Sequence, residues 1–182
     1  MSQSRQDTLT QPVDEDRDHI EGPADAPVTL VEYGDYECPY CGQAYPIVKQ
    51  VQEELGDDLR LVFRNFPLEN MHPHAKRAAE AAEAAGAQGN DPFWAMHDYL
   101  YEHQDALTDD DLKSYAAELD LDTDQFEQDF EASTSEDRVE EDFQSGIRSG
   151  VNGTPTFFVN DERFDGDWTD VETFAAALRE YR

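Results

Sequence analysis

Two cysteines, Cys38 and Cys41, are the only ones in 182 residues, and they enclose just Pro39 and Tyr40. The run before them, Pro27-Val28-Thr29-Leu30-Val31-Glu32-Tyr33, has the composition of a buried strand, and the run from Ala44 to Leu55 has that of a helix. A Cys-x-x-Cys pair at a strand-to-helix turn puts the first sulfur at a helix N-terminus. Free N–H groups and the positive end of the helix dipole stabilise a thiolate there. The chain must therefore fold so that a sheet delivers this turn to a surface, which points to an α/β architecture with redox chemistry at one edge.

The rest of the pattern supplies that architecture. Arg60-Leu61-Val62-Phe63-Arg64-Asn65-Phe66 alternates with a period near two and stops at Pro67, so strand, helix and strand form a parallel pair joined by a right-handed crossover. Pro46 falls inside the intervening helix and predicts a kink. From His72 to about Gly150 the periodicity is helical, beginning with an alanine-rich segment suited to close packing. Thr108 with Asp111, and Asp122 with Gln125, mark helix starts within this block. Trp94 and His97 read as packing residues on a helix face. Thr156-Phe157-Phe158-Val159 returns to β structure, Asn160-Asp161 makes a turn, and Arg163-Phe164 opens the pairing strand. Thr169 with Glu172 predicts the start of a last helix over 170–181. The expected organisation is a flexible acidic leader over 1–22, a core built from 23–70 and 150–182, and an inserted all-helical subdomain over 71–149.

Three chemistries are open to the cysteine pair. Zinc needs about four ligands, and His72 and His74 flank a proline at loop-like spacing, so no metal is expected. A structural disulfide would close a loop of only four residues, worth roughly 2 kcal/mol in the chain-entropy model. A dithiol–disulfide redox couple fits best. In it Cys38 is the exposed nucleophile, and Cys41, one turn further in, is the resolving thiol that displaces a bound partner. Asp35 and Glu37 stand beside Cys38 and oppose its ionisation, so the expected outcome is a net but not extreme lowering of its pKa.

The run from Val31 to Cys41 resembles the active-site segment of the DsbA-like branch of the thioredoxin superfamily. Gly150-Val151-Asn152-Gly153-Thr154-Pro155-Thr156-Phe157-Phe158-Val159 is similar to that family's cis-proline loop and the hairpin that follows, and the helical block between the two marks matches the branch's insertion. The resemblance covers roughly residues 20–180. It implies a thioredoxin fold, a central mixed sheet of four or five strands flanked by helices, with the helical subdomain inserted. It also implies catalytic roles for Cys38, Cys41 and Glu32, the last as a buried acid with a raised pKa that relays a proton to or from Cys41. Pro39, Tyr40, Thr154 and Pro155 would form the substrate-binding surface, with Pro155 in a cis peptide bond. One departure matters. The strongly oxidising members carry histidine where this chain has Tyr40, which predicts a potential between those of thioredoxin and the strong oxidants, about −270 to −120 mV.

The implied activity is protein disulfide oxidoreduction without a cofactor, through a mixed disulfide with protein thiols or disulfides and with an unidentified redox partner. A glutaredoxin-like reductase of small thiols and a non-enzymatic scaffold module are the alternatives. The formal charge of −30, from 43 acidic against 13 basic residues, repels nucleic acid; it fits a protein adapted to a very salty interior, as in an extreme halophile, with an acidic surface for cations or a basic partner as the alternative. Met1 to Ala26 has no signal pattern and no segment reads as a membrane span, so the chain is expected to be cytoplasmic, away from the membrane, and monomeric.

Overall fold

The structure, a computed structural model, describes residues 8–182. Its centre is a five-stranded mixed sheet in the order β1-β3-β2-β4-β5. The strands are β1 (His19–Glu21), β2 (Val28–Gly34), β3 (Leu59–Asn65), β4 (Thr156–Val159) and β5 (Glu162–Phe164). The long helix α1 (Pro39–Leu55) connects β2 to β3, which run parallel with Leu30 opposite Leu61. β4 pairs antiparallel with β2, setting Phe157 opposite Glu32, and β1 pairs antiparallel with β3. The helices α2 (Ala75–Gly86), α3 (Asn90–Glu102), α4 (Asp109–Glu118), α5 (Thr123–Glu131) and α6 (Glu136–Arg148) all lie between β3 and β4 in the chain, and α7 (Val171–Arg179) ends it.

Alternation along each strand splits the core between the two faces of the sheet. Val28 and Leu30 of β2, Leu61 and Phe63 of β3 and Phe157 of β4 join Val48 and Val51 of α1 and Phe174 and Leu178 of α7. Val31, Tyr33, Val62 and Phe158 face the other way, against Leu9, Phe66 and Val151. Glu32 follows the parity of Leu30, so its carboxyl lies on the α1 side, among apolar neighbours. In α2 the alanines Ala78, Ala79, Ala81, Ala82, Ala84 and Ala85 are buried, and their small size lets neighbouring helices approach closely. Thr108 and Asp111 form a reciprocal capping box at the start of α4, and the Asp122 side chain accepts from the Gln125 N–H. The last helix starts one residue later than Thr169 suggests, because Asp170 is the side chain that accepts from the Thr173 N–H.

The segment over 8–22 is not a free leader. Leu9 is buried, its N–H donates to the Asp161 carbonyl at 2.9 Å, and His19–Glu21 adds a strand to the sheet edge. The reason lies on β3. Arg64 is fully buried, and a guanidinium cannot stay there unsatisfied. The segment supplies its partners: both carboxylate oxygens of Asp18 at 2.9 Å, and the carbonyls of Gln11 at 3.0 Å and Pro12 at 3.2 Å. Residues 1–7 of the predicted leader lie outside the described residues.

Candidate active site

β2 ends at Gly34, where a side chain has no room: a Cβ there would stand 2.6 Å from the Phe63 ring and 2.8 Å from the Tyr101 hydroxyl. The chain turns through Asp35-Tyr36-Glu37 and reaches Cys38, the residue that caps α1, in an extended conformation with φ −67° and ψ 124°. Pro39 takes the first helical position, where a missing N–H costs nothing. The next free N–H groups, those of Tyr40 and Cys41, are thereby left for the Cys38 sulfur. From the far end of the sequence, the Thr154 carbonyl oxygen comes to 3.6 Å from that sulfur, and the Thr154–Pro155 peptide bond is cis. Both cysteines are free thiols.

The two sulfurs sit in different environments. Cys38 keeps 3% of its surface exposed and Cys41 none. Cys38 is thus less open than the sequence leads one to expect. Gln104, just beyond α3, explains part of this, since its amide donates to the carbonyls of both Tyr36 and Cys38 at 2.9 Å. A Cβ at position 42 would overlap that amide, so a larger residue there would have to displace Gln104. The Cys38 thiol is pulled down to about 5, within the range of reactive cysteines. The largest cause is the hydrogen bond from the Cys41 thiol; the Thr154 hydroxyl and the N–H groups of Cys41 and Tyr40 add to it, against the cost of burial. By geometry that hydroxyl is buried and makes no hydrogen bond; the contact that the structure gives Cys38 from this residue is to the Thr154 carbonyl. Cys41 moves the opposite way, pushed up by burial and then by its bond to Cys38 and the charge of Glu32. Glu32 itself is raised to about 8, chiefly by desolvation and then by the negative charge of Cys38.

Asp35 and Glu37 do not oppose Cys38 as simply as their positions suggest. Asp35 is 1% exposed and accepts from the N–H of Glu37 at 2.8 Å, the N–H of Leu68 at 3.0 Å and the His72 ring at 2.8 Å. Glu37 accepts from the His74 N–H at 2.7 Å. Both carboxylates therefore spend their charge on the loop between β3 and α2 and hold it beside the reactive turn. The lowering of the Cys38 pKa is larger than the sequence suggests, and its causes are the Cys41 thiol, Thr154 and the first N–H groups of α1.

Of the residues singled out from sequence, Cys38, Cys41, Glu32, Thr154 and Pro155 converge on one site. Pro39 belongs to it as the first residue of α1, and Tyr40 stands in solvent at 62% exposure. Pro155 also borders a recess of about 200 Å³ with Arg163, Phe164 and Trp168. Tyr33 and Tyr36 are core residues and Tyr45 is half-buried, so Tyr40 alone of the four is presented outward. Trp94 and His97 are buried. Gln104 and His72 were not legible as parts of the site, because each reaches it from an element distant in sequence. Among the described residues no three or more His, Cys, Asp or Glu side chains are grouped to hold a metal ion, and no helix is long and apolar enough to cross a membrane.

The model of a family described as thioredoxin matches residues 14–180. The chain is 50% identical over 170 residues to the Na(+)/H(+) antiporter NhaA 1 of Salinispora arenicola, a match covering 93% of this chain and 26% of that protein. The chain thus spans about a quarter of the length of such relatives, whose name describes the whole protein. Among solved structures, BdbD of Bacillus subtilis in its oxidised form superposes with a TM-score of 0.82 at 24% identity, over 96% of this chain and 98% of that one. A thioredoxin-like oxidoreductase of Silicibacter pomeroyi gives 0.78 at 28% identity, over 97% and 96%. Fold, site geometry and family match agree: this chain belongs to the thioredoxin family.

Proposed function

We propose that this chain is a DsbA-like thiol–disulfide oxidoreductase that acts on protein substrates. One observation carries the reading: Cys38 caps α1 with its sulfur 3.6 Å from the Thr154 carbonyl of the cis Thr154–Pro155 segment, while Cys41 and Glu32 are buried behind it, an arrangement that pulls the Cys38 thiol down and pushes Cys41 and Glu32 up. At neutral pH the Cys38 thiolate attacks one sulfur of a substrate disulfide. A Cys38–substrate disulfide forms, and the other substrate sulfur leaves as a thiolate that takes a proton from water. The Cys41 thiol then passes its proton toward Glu32, which at its raised pKa is poised to accept or return one near neutrality. The Cys41 sulfur attacks Cys38, forms the Cys38–Cys41 disulfide and expels the second substrate sulfur. Two electrons move from the protein dithiol to the substrate, and the reverse sequence oxidises a substrate dithiol. A partner dithiol or disulfide resets the pair.

Tyr40, Pro39 and the Thr154–Pro155 segment form the surface that the substrate meets. Pro155 has no N–H, which leaves Thr154 as the residue whose backbone can pair with an extended chain. Insulin reduction by dithiothreitol is the test. The wild-type protein accelerates it, Cys38→Ser abolishes the acceleration, and Cys41→Ser accumulates a covalent adduct through Cys38. A Cys41→Ser variant that keeps full turnover with glutathione would replace this reading by a small-thiol reductase. No acceleration by the wild-type protein would leave a scaffold module.

A further inference from the structure

The loop between β3 and α2 carries neither cysteine, yet it is fastened to the reactive turn along its whole length. Phe66 N–H donates to the Gly34 carbonyl at 2.8 Å, Leu68 N–H to Asp35 at 3.0 Å, and His74 N–H to Glu37 at 2.7 Å. The His72 Nδ1 lies 2.8 Å from the same Asp35 oxygen that Leu68 uses. Asp35 in turn offers its main-chain carbonyl to the Cys38 N–H at 3.1 Å, so this carboxylate is built into the turn that presents the reactive sulfur.

The Asp35 side chain has no exposed surface, and two of its three hydrogen bonds come from neutral backbone groups. A buried carboxylate supported only by neutral donors is costly. The third partner, His72, can carry a full charge, and it keeps 15% of its surface in water through which a proton can exchange. With the ring protonated, the Asp35–His72 pair is neutral. With the ring neutral, the pair carries a net negative charge three residues before Cys38.

We propose that His72 is a positioning residue for the Cys38 thiolate, its proton deciding whether the carboxylate built into the reactive turn is neutralised. The chain thereby supplies, from a different loop, the cation that Tyr40 cannot supply between the cysteines. The charged groups facing the ring are Asp35 and Glu37 on the turn and the Cys38 sulfur at the start of α1. Burial disfavours the imidazolium, but the bond to Asp35 and the charges of Asp35, Cys38 and Glu37 together raise the His72 pKa. The coupling is reciprocal. A proton on His72 favours the thiolate, and a thiolate on Cys38 favours the proton. Oxidation of the pair removes the thiolate and must release part of that hold on the ring.

This inference rests on the exchange reading for its consequence, but its test does not need turnover. The His72 ring protons are followed by NMR against pH in the reduced and in the oxidised wild-type protein. The Cys38 thiolate is followed by absorbance at 240 nm in the wild type, His72→Gln and His72→Arg. The reduced wild type titrates His72 at a higher pH than the oxidised. His72→Gln lowers the thiolate fraction of Cys38 below its midpoint about threefold to tenfold, and His72→Arg restores it. The equilibrium of His72→Gln with glutathione shifts by the same factor toward the disulfide, and a tenfold shift is about 30 mV. Equal His72 midpoints in the two redox states would overturn the proposal, and this holds even if His72→Gln does not fold. Failure of the wild type to exchange disulfides would instead remove the exchange reading and leave the coupling measurable.

Discussion

The Thr154 carbonyl oxygen lies 3.6 Å from the Cys38 sulfur, although 116 residues separate the two in the chain. The contact requires β4 to sit beside β2, and it brings to the same place the Thr154 hydroxyl, a buried group with no hydrogen-bond partner that a thiolate at Cys38 can recruit. Thr154→Val keeps the shape and removes that donor. The variant should lower the thiolate fraction of Cys38 a few-fold, since loss of a hydrogen bond to the charged form is one of the causes that move a pKa. Absorbance at 240 nm against pH checks this, and an unchanged midpoint would show that the hydroxyl contributes nothing.

Glu32 should matter to the second step of exchange and not to the first. Glu32→Gln leaves Cys38 attack intact and slows release of the mixed disulfide by about 100-fold, a typical loss for a general base. Quenched-flow analysis of the adduct separates the two steps.

The same carboxyl has a sign in stability. Its ordinary value is 4.5 and its folded value is about 8, so over that window the native state holds a proton that the unfolded chain releases. Stability therefore falls as pH rises from 4.5 to 8, by up to about 1.4 kcal/mol per pH unit from this group. Below pH 4.5 both states are protonated and the penalty is absent. Glu32→Gln flattens this part of the profile, and urea melts of the two proteins across pH would show it.

Breaking the Arg64–Asp18 pair should be severe. Both side chains are fully buried, so Arg64→Met strands a carboxylate and should cost about 3–5 kcal/mol, with release of the 8–22 segment. Denaturant melts give the loss, and hydrogen exchange at Leu9 and Ile20 reports whether the segment has detached.

A net charge of −30 on a chain of this size makes repulsion a large term in dilute buffer. At 1 M salt the screening length is about 3 Å and most of that repulsion disappears. The melting temperature should therefore rise steeply with sodium chloride, and a calorimetric series that stays flat would contradict this.

The sheet, the helices and the cysteine turn follow from local patterns in the sequence. The apolar run Leu61-Val62-Phe63, ended by Pro67, marked β3, which is buried on both faces, and the Thr108–Asp111 spacing marked a helix start that the structure reproduces as a capping box. Side chains that act across the fold were illegible. The 8–22 segment reads as polar leader because its attachment depends on one buried arginine 46 residues from Asp18. His72 reads as half of a weak metal pair because its partner, Asp35, is 37 residues away, and Gln104 has no local signature at all. Asp35 and Glu37 were visible, but the direction of their charges depends on a loop that sequence spacing does not place.

The account depends most directly on the ionisation of Cys38. Alkylation of the reduced protein with iodoacetamide across pH, with each adduct located by mass spectrometry, measures it. The account predicts a single reactive sulfur, Cys38, whose rate rises with a midpoint near 5 while Cys41 stays unmodified. A midpoint near the ordinary value of 9, or preferential labelling of Cys41, would contradict it.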